Sequence, residues 1–312
     1  MKRSIILMLS IIIMITLSAW GFYPHKIINT NAIFTLPPPL NDFYKRNLTK
    51  IRDYAVNADK RVYIDPKESP RHFIDLDQIP HKDSIQIPWN KAKEKYNEKL
   101  LMSRGIVPWQ IEKSFIQLRN AFYKKDSYRI IKVSADLGHY TADAHVPLHT
   151  TSNYNGQQTN QIGIHSLWET RLPEKYSKKY NLYVGPANYI DNVLDYAWSI
   201  VMESNALLDS VLQLEQNLSQ KLPKILHRSY ILRGQQIQTN YSDYYVETYH
   251  QQLNGMLHKR MKKSIHAIGS LWYTAWVDAG QPDLSNLKMN DLPTDTIDLS
   301  KHKIPKGREE WH

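Results

Sequence analysis

The chain has 312 residues, 42% apolar and 22% charged, which allows a sizeable core and excludes wholesale disorder. It contains no cysteine, which excludes disulfide scaffolds, Cys-based zinc ribbons, iron–sulfur clusters and thiol nucleophiles; any metal must be held by His, Asp, Glu or backbone groups. Lys plus Arg number 40 against 30 acids, a formal charge of +10, which permits an anionic partner without requiring one.

Lys2 and Arg3 form a basic start, residues 5–17 are apolar except for Ser10 and Thr16, and Leu17-Ser18-Ala19 ends on a small residue. This pattern predicts a signal peptide over 1–19 and an exported protein, periplasmic or secreted, whose first residue is Trp20. The apolar run falls short of the roughly 20 residues a membrane span needs; an uncleaved anchor is the competing reading. Downstream, apolar positions recur at helical spacing over 40–56, 89–102, 109–123, 127–145, 190–212 and 241–277. In the third stretch Ile111, Phe115, Leu118 and Phe122 form the stripe, and in the fourth Ile130, Ile131, Val133, Leu137 and Tyr140. No hairpin dipeptide sits between alternating runs, so strand signals are scarce. The expected fold is all-α, a single mostly helical domain over 20–282. Residues 283–312, polar and broken by Pro293 and Pro305, are expected to be a tail.

The chemistry concentrates in histidines and carboxylates. His139 and Asp143 are four apart in a helical stretch and project from one face, as two ligands of one metal must. His165 and Glu169 repeat the spacing after Gly163. One such pair is commonly an ordinary ion pair; two within about thirty residues, with His149 between them, point further. Ten residues rotate His149 about 80° from the His139 face, and Pro147 ends or kinks the helix, so His149 is expected to serve a different ion, with His165 and Glu169. His145 points elsewhere and reads as a surface or supporting histidine. Upstream lie Asp59, Arg61 and the run Ser69-Pro70-Arg71-His72-Phe73-Ile74-Asp75-Leu76-Asp77, and farther back His25. Taken alone, Asp59 and His72 read as a loop carboxylate and a core histidine. A thiolate-free His/carboxylate set suits Zn²⁺, with Mn²⁺ or Fe²⁺ as alternatives.

The series Trp20-Gly21, His25, Asp59, His72, His139, Asp143, His149, His165 and Glu169 resembles the ligand order of a trinuclear-zinc phosphoesterase superfamily. Its two branches are the secreted single-strand nucleases of the S-one/P-one type and the bacterial zinc-dependent phospholipases C. The resemblance runs from Trp20 to about Arg171, half the chain. It implies three zinc ions: one held by Asp59, His72, His139 and Asp143; a second by His149, His165 and Glu169; a third by the free amino group and carbonyl oxygen of Trp20 with His25 and Asp143. It further implies phosphodiester hydrolysis by water activated between paired ions, with Asp59 as ligand and proton acceptor. Arg61 falls one residue from the position of a phosphate-contacting arginine. Asp75 and Asp77 either orient ligand rings or cap the local chain.

The five-residue step from Trp20 to His25, the run Asp143-Ala-His-Val-Pro-Leu-His149 and Trp168 before Glu169 are nuclease-like. The short connection from His149 to His165, the Asn155-Gly156 pair in place of Gly-Gly-Asn, and glutamate as last ligand are phospholipase-like. The expected substrate is single-stranded nucleic acid or nucleotides, with phospholipid headgroups as the alternative and no obligate protein partner. A metal-binding envelope protein without turnover is a third reading, disfavoured because no ligand position is missing. A di-iron bundle is disfavoured because the E-x-x-H motif occurs only at Glu247–His250.

Overall fold

The strongest apolar stripes of the sequence become the helices at the centre of the fold. The computed structural model describes residues 22–80, 84–233 and 236–287. The expected signal peptide, Trp20 and most of the expected tail, 288–312, lie outside the described residues. The chain enters on α1 (Phe22–Ala32), a stretch without an expected helix, and continues through α2 (Pro38–Arg46), α3 (Leu48–Tyr54) and α4 (Asn57–Arg61). Then come α5 (Trp89–Tyr96) and α6 (Glu98–Arg104), separated by Asn97, whose φ of 68° interrupts the expected 89–102 stretch. The central pair is α7 (Val107–Tyr123) and α8 (Ser127–Ala144). Pro108 opens α7, where a missing N–H costs nothing. The Asp126 carboxylate caps α8 by accepting from the Arg129 amide at 3.0 Å.

Beyond the short helices α9 (Ile164–Ser166) and α10 (Leu172–Tyr176) come α11 (Val193–Ala206) and α12 (Leu208–Lys221). The expected continuous helix over 190–212 is broken because its middle is tied to another element: Ser204 Oγ donates to the Ala144 carbonyl, and Asn205 donates to Thr150 Oγ1 at 3.1 Å. The last pair, α13 (Asp243–Gln252) and α14 (Met256–Asp278), is divided at Gly255, whose φ of 76° a side chain would disfavour. Between α12 and α13 lies an antiparallel hairpin, β1 (Arg228–Arg233) with β2 (Gln236–Tyr241), in the register Leu232↔Ile237 and Tyr230↔Thr239. Strand signals are scarce here, with no turn dipeptide between alternating runs, and the face carrying Tyr230, Leu232 and Ile237 is exposed. The fold is thus one mostly helical domain. Among the described residues no helix is long and apolar enough to cross a membrane.

Helix α8 runs through the core against α1, α3, α7 and α14. Tyr44 stacks on Trp272 with ring centroids 4.8 Å apart, its hydroxyl lies 2.6 Å from Ser134 Oγ, and the Trp272 indole donates to the Ser134 carbonyl at 3.1 Å. These bonds satisfy polar atoms that burial would otherwise penalise. One turn on, Gly138 lets α1 approach closely: a Cβ there would sit 1.9 Å from Asn29 Oδ1, and the Asn29 amide donates to the Ala135 carbonyl. The expected tail begins against the body, with Leu284 buried and its carbonyl accepting from Arg46 at 3.0 Å.

Candidate metal centre

Five imidazoles and three carboxylates from six segments meet in the interior, all buried. His139 and Asp143 come from one face of α8, His25 from α1, and Asp59 from α4, a short helix where a loop carboxylate was the isolated reading. His72 follows a 3-10 turn at Ser69–Arg71, and His149 lies in another at Pro147–Thr150, after Pro147 has ended the path of α8. His165 and Glu169 flank the start of a π-helical segment, Leu167–Arg171, entered from Gly163 at φ 99°. Such widened turns recur at functional sites because they re-aim a side chain without ending the helix.

The ligand atoms fall into overlapping groups. His139 Nε2 lies 3.1 Å from Asp59 Oδ1, 3.2 Å from Asp143 Oδ2 and 3.1 Å from His72 Nδ1, and His72 Nδ1 is 2.9 Å from Asp143 Oδ2. Glu169 Oε2 lies 2.7 Å from His165 Nε2 and 3.3 Å from His149 Nε2. His25 Nε2 stands between the two acids, 3.4 Å from Asp143 Oδ1 and 3.3 Å from Glu169 Oε1, and its ring stacks on His139 at 4.0 Å. Both Asp143 and Glu169 therefore turn one oxygen to a group of their own and the other to His25. Every metal-ligand residue read from the sequence joins the cluster except Trp20, which lies outside the described residues.

The hydrogen bonds settle which ring nitrogens face inward. His139 Nδ1 donates to the Ala55 carbonyl at 2.8 Å, and His149 Nδ1 to the His72 carbonyl at 2.8 Å. A carbonyl only accepts, so in each neutral ring the inward Nε2 carries a lone pair, the state in which imidazole binds a metal. Both Asp59 oxygens, Asp143 Oδ1 and Glu169 Oε1 find no hydrogen-bond donor among the described residues. Three buried carboxylates with bare oxygens and inward imidazole lone pairs are costly unless cations stand among them. The residues fit divalent ions of the Zn²⁺ kind, and the overlapping groups suit more than one ion.

Without ions His139 and His72 take the cationic role. Burial lowers the His139 pKa, but Asp143 and Asp59 override it and hold it well above the ordinary value. His72 is raised more moderately: burial opposes, and the bonds to Asp143 and Glu68 prevail. Burial raises Asp143 and Glu169, yet the neighbouring histidines hold both below the usual carboxylate range, His139, His72 and His25 acting on Asp143 and His149, His165 and His25 on Glu169.

Glu68 was not singled out in the sequence, although it precedes His72 by four residues. It is fully buried, its Oε1 lies 3.7 Å from His72 Nε2, and it accepts from Arg61 at 3.2 Å, from Arg71 and from the Tyr140 hydroxyl. Burial pushes its pKa up, but His72, Arg61 and Arg71 hold it well below the ordinary value. Arg61 also lies 3.0 Å from Asp136 and donates to Tyr140 at 3.1 Å. Asp77 staples the loop that follows His149, accepting from the Ser152 amide at 2.9 Å and from the Ser152 hydroxyl at 2.6 Å. Asp75 is buried beside it in sequence, its amide bonded to the Arg104 carbonyl. His145 is buried rather than on the surface, donating to the Thr141 carbonyl at 2.7 Å; burial and Arg260 hold its pKa well below ordinary.

No protein-family model matches the chain, and no curated protein does either.

Proposed function

We propose that the protein is a zinc-dependent phosphodiester hydrolase acting on single-stranded nucleic acid or nucleotides. The observation that carries the metal chemistry is the convergence of Asp59, Asp143 and Glu169 with five inward-facing imidazoles in one buried cluster. The choice of reaction rests on the order of these ligands along the chain. Asp59, His72, His139 and Asp143 would hold one ion; His149, His165 and Glu169 a second; His25 and Asp143, with Trp20, a third. When bound, such ions supply Lewis acidity toward a phosphoryl oxygen and a water of lowered pKa.

The chain's own residues do the rest. Ala55 and His72 carbonyls fix the His139 and His149 tautomers, so neither of these two rings must reorient to bind. Glu68 sets the rotation of His72 from behind, and burial excludes bulk water from the acids. Asp59 would serve as ligand and proton acceptor, and the absence of a hydrogen-bond donor to either of its oxygens among the described residues supports this. An exposed basic and apolar hairpin near His165 favours phospholipid headgroups as the second reading. The test has two arms. Metal analysis should give close to three zinc ions per chain. A panel of single-stranded DNA, RNA, a 3′-nucleotide and phosphatidylcholine should show cleavage of the nucleic acids. Release of phosphocholine with no nucleic-acid cleavage would replace the first reading by the second, and a chain that binds no zinc would remove both.

A further inference from the structure

Of the 13 exposed large apolar residues among those described, six fall between 225 and 244, on and beside the hairpin. Ile225 is 85% exposed, Tyr230 81%, Leu232 72% and Ile237 73%. In the register of the hairpin, Leu232 opposes Ile237 and Tyr230 opposes Thr239, so these side chains share one face of the sheet. Lys221, Lys224 and Arg228 are exposed alongside, and the sequence holds no acid between Glu215 and Asp243.

The base of this element is anchored. The Arg228 guanidinium lies 3.7 Å from the Tyr241 ring centroid and donates to the Ile162 carbonyl at 3.1 Å. Ser242 donates from its amide to the His227 carbonyl at 3.0 Å. Ile162 is itself exposed and stands three residues before His165, so the patch and the metal cluster share one loop.

We infer that this hairpin docks the protein on an anionic lipid surface. Leu232, Ile237 and Ile225 offer a nucleic acid neither a stacking face nor a hydrogen bond, and entry into an apolar phase recovers the cost of leaving them in water. Tyrosine suits the boundary between headgroups and acyl chains, and clustered cations beside the apolar face are drawn to anionic headgroups. The docking is independent of the hydrolytic reading, because it concerns residues outside the metal cluster and is read without turnover.

The experiment is co-sedimentation of the full zinc-loaded chain with vesicles of phosphatidylcholine containing about 30% phosphatidylserine, against pure phosphatidylcholine. Leu232→Ser/Ile237→Ser and Lys221→Gln/Lys224→Gln differ from the parent only at exposed positions, so any contribution of the N-terminal apolar segment cancels. The first variant should weaken binding roughly tenfold or more. The second should weaken it about fivefold per charge on anionic vesicles, with the effect fading at high salt. Because the chain has no cysteine, Ile237→Cys provides a unique site for an environment-sensitive fluorophore, whose emission should shift to the blue on anionic vesicles. The docking is overturned if parent and variants sediment alike and the fluorophore does not respond. It is equally overturned if the apolar variant leaves vesicle binding intact while abolishing a dimer seen by light scattering, or abolishes binding of single-stranded DNA instead.

Discussion

Replacing Asp143 by asparagine keeps its shape and removes one negative charge from the centre of the cluster. Its Oδ2 lies 2.9 Å from His72 and 3.2 Å from His139, and its Oδ1 3.4 Å from His25. At such separations and an effective dielectric near 20, each full charge pair is worth about 5 kcal/mol before desolvation. Burial consumes much of that, and losing one partner of a buried pair costs about 3–5 kcal/mol. Transferred to ion binding, the same loss weakens affinity by roughly 10²–10⁴-fold. Because the two oxygens face different imidazoles, two ions should weaken together. The ion held by His149, His165 and Glu169 should remain. Zinc per chain, measured by mass spectrometry after dialysis against graded chelator buffers, reads this directly, with the exposed Asp42→Asn as control. Full retention of all zinc by Asp143→Asn, or loss of a single ion, would refute the bridging geometry.

Further consequences follow from the same contacts. In the metal-free chain His72 and His139 have raised pKa values, so their stabilisation is complete below about pH 6.5 and lost as pH rises through the raised values. Asp143 and Glu169 are depressed, so theirs is present above about pH 4 and lost as pH falls through the lowered values. The chelated protein should therefore melt highest between about pH 4 and 6.5, whereas zinc stabilisation should grow above that window as the imidazoles shed protons; thermal melts with and without chelator across pH decide it, and a chelated melting temperature rising steadily to alkaline pH would contradict it. Glu68→Gln leaves Arg61 and Arg71 around a neutral amide and should cost about 3–5 kcal/mol in urea unfolding, with zinc affinity falling through His72. Gly138→Ala drives a methyl against Asn29 and should cost about 1–3 kcal/mol, relieved by adding Asn29→Ala, with zinc loss tracking the displacement of His25 on α1. One extra residue ahead of Trp20 should remove an ion by blocking the amine, and equal zinc content in both forms would exclude a terminal-amine ligand.

How much of this was legible in the sequence depends on the range of the signal. The α7 and α8 stripes and the i, i+4 pairs His139/Asp143 and His165/Glu169 are local periodicities, and they persist in the structure as helices and contacts. The ligand order along the chain raised the prospect of a multinuclear site before any distance was known. Breaks at Asn97, Leu207 and Gly255 were hidden because the apolar period continues across them while tertiary bonds or a left-handed residue turn the chain. Helix α1 carries little periodicity of its own and is held by packing, with Asn29 seated against Gly138. Glu68 stands at the same four-residue spacing from His72 as the other pairs, but only the arrival of Tyr140 from α8 and Arg61 from α4 makes it a buried anchor. The order of residues set which side chains were available and how neighbouring ones would face. Which nitrogen of His139 and His149 turns inward, and which acid oxygens stay bare, could not be read along the chain, because both depend on groups from distant segments that the fold brings close.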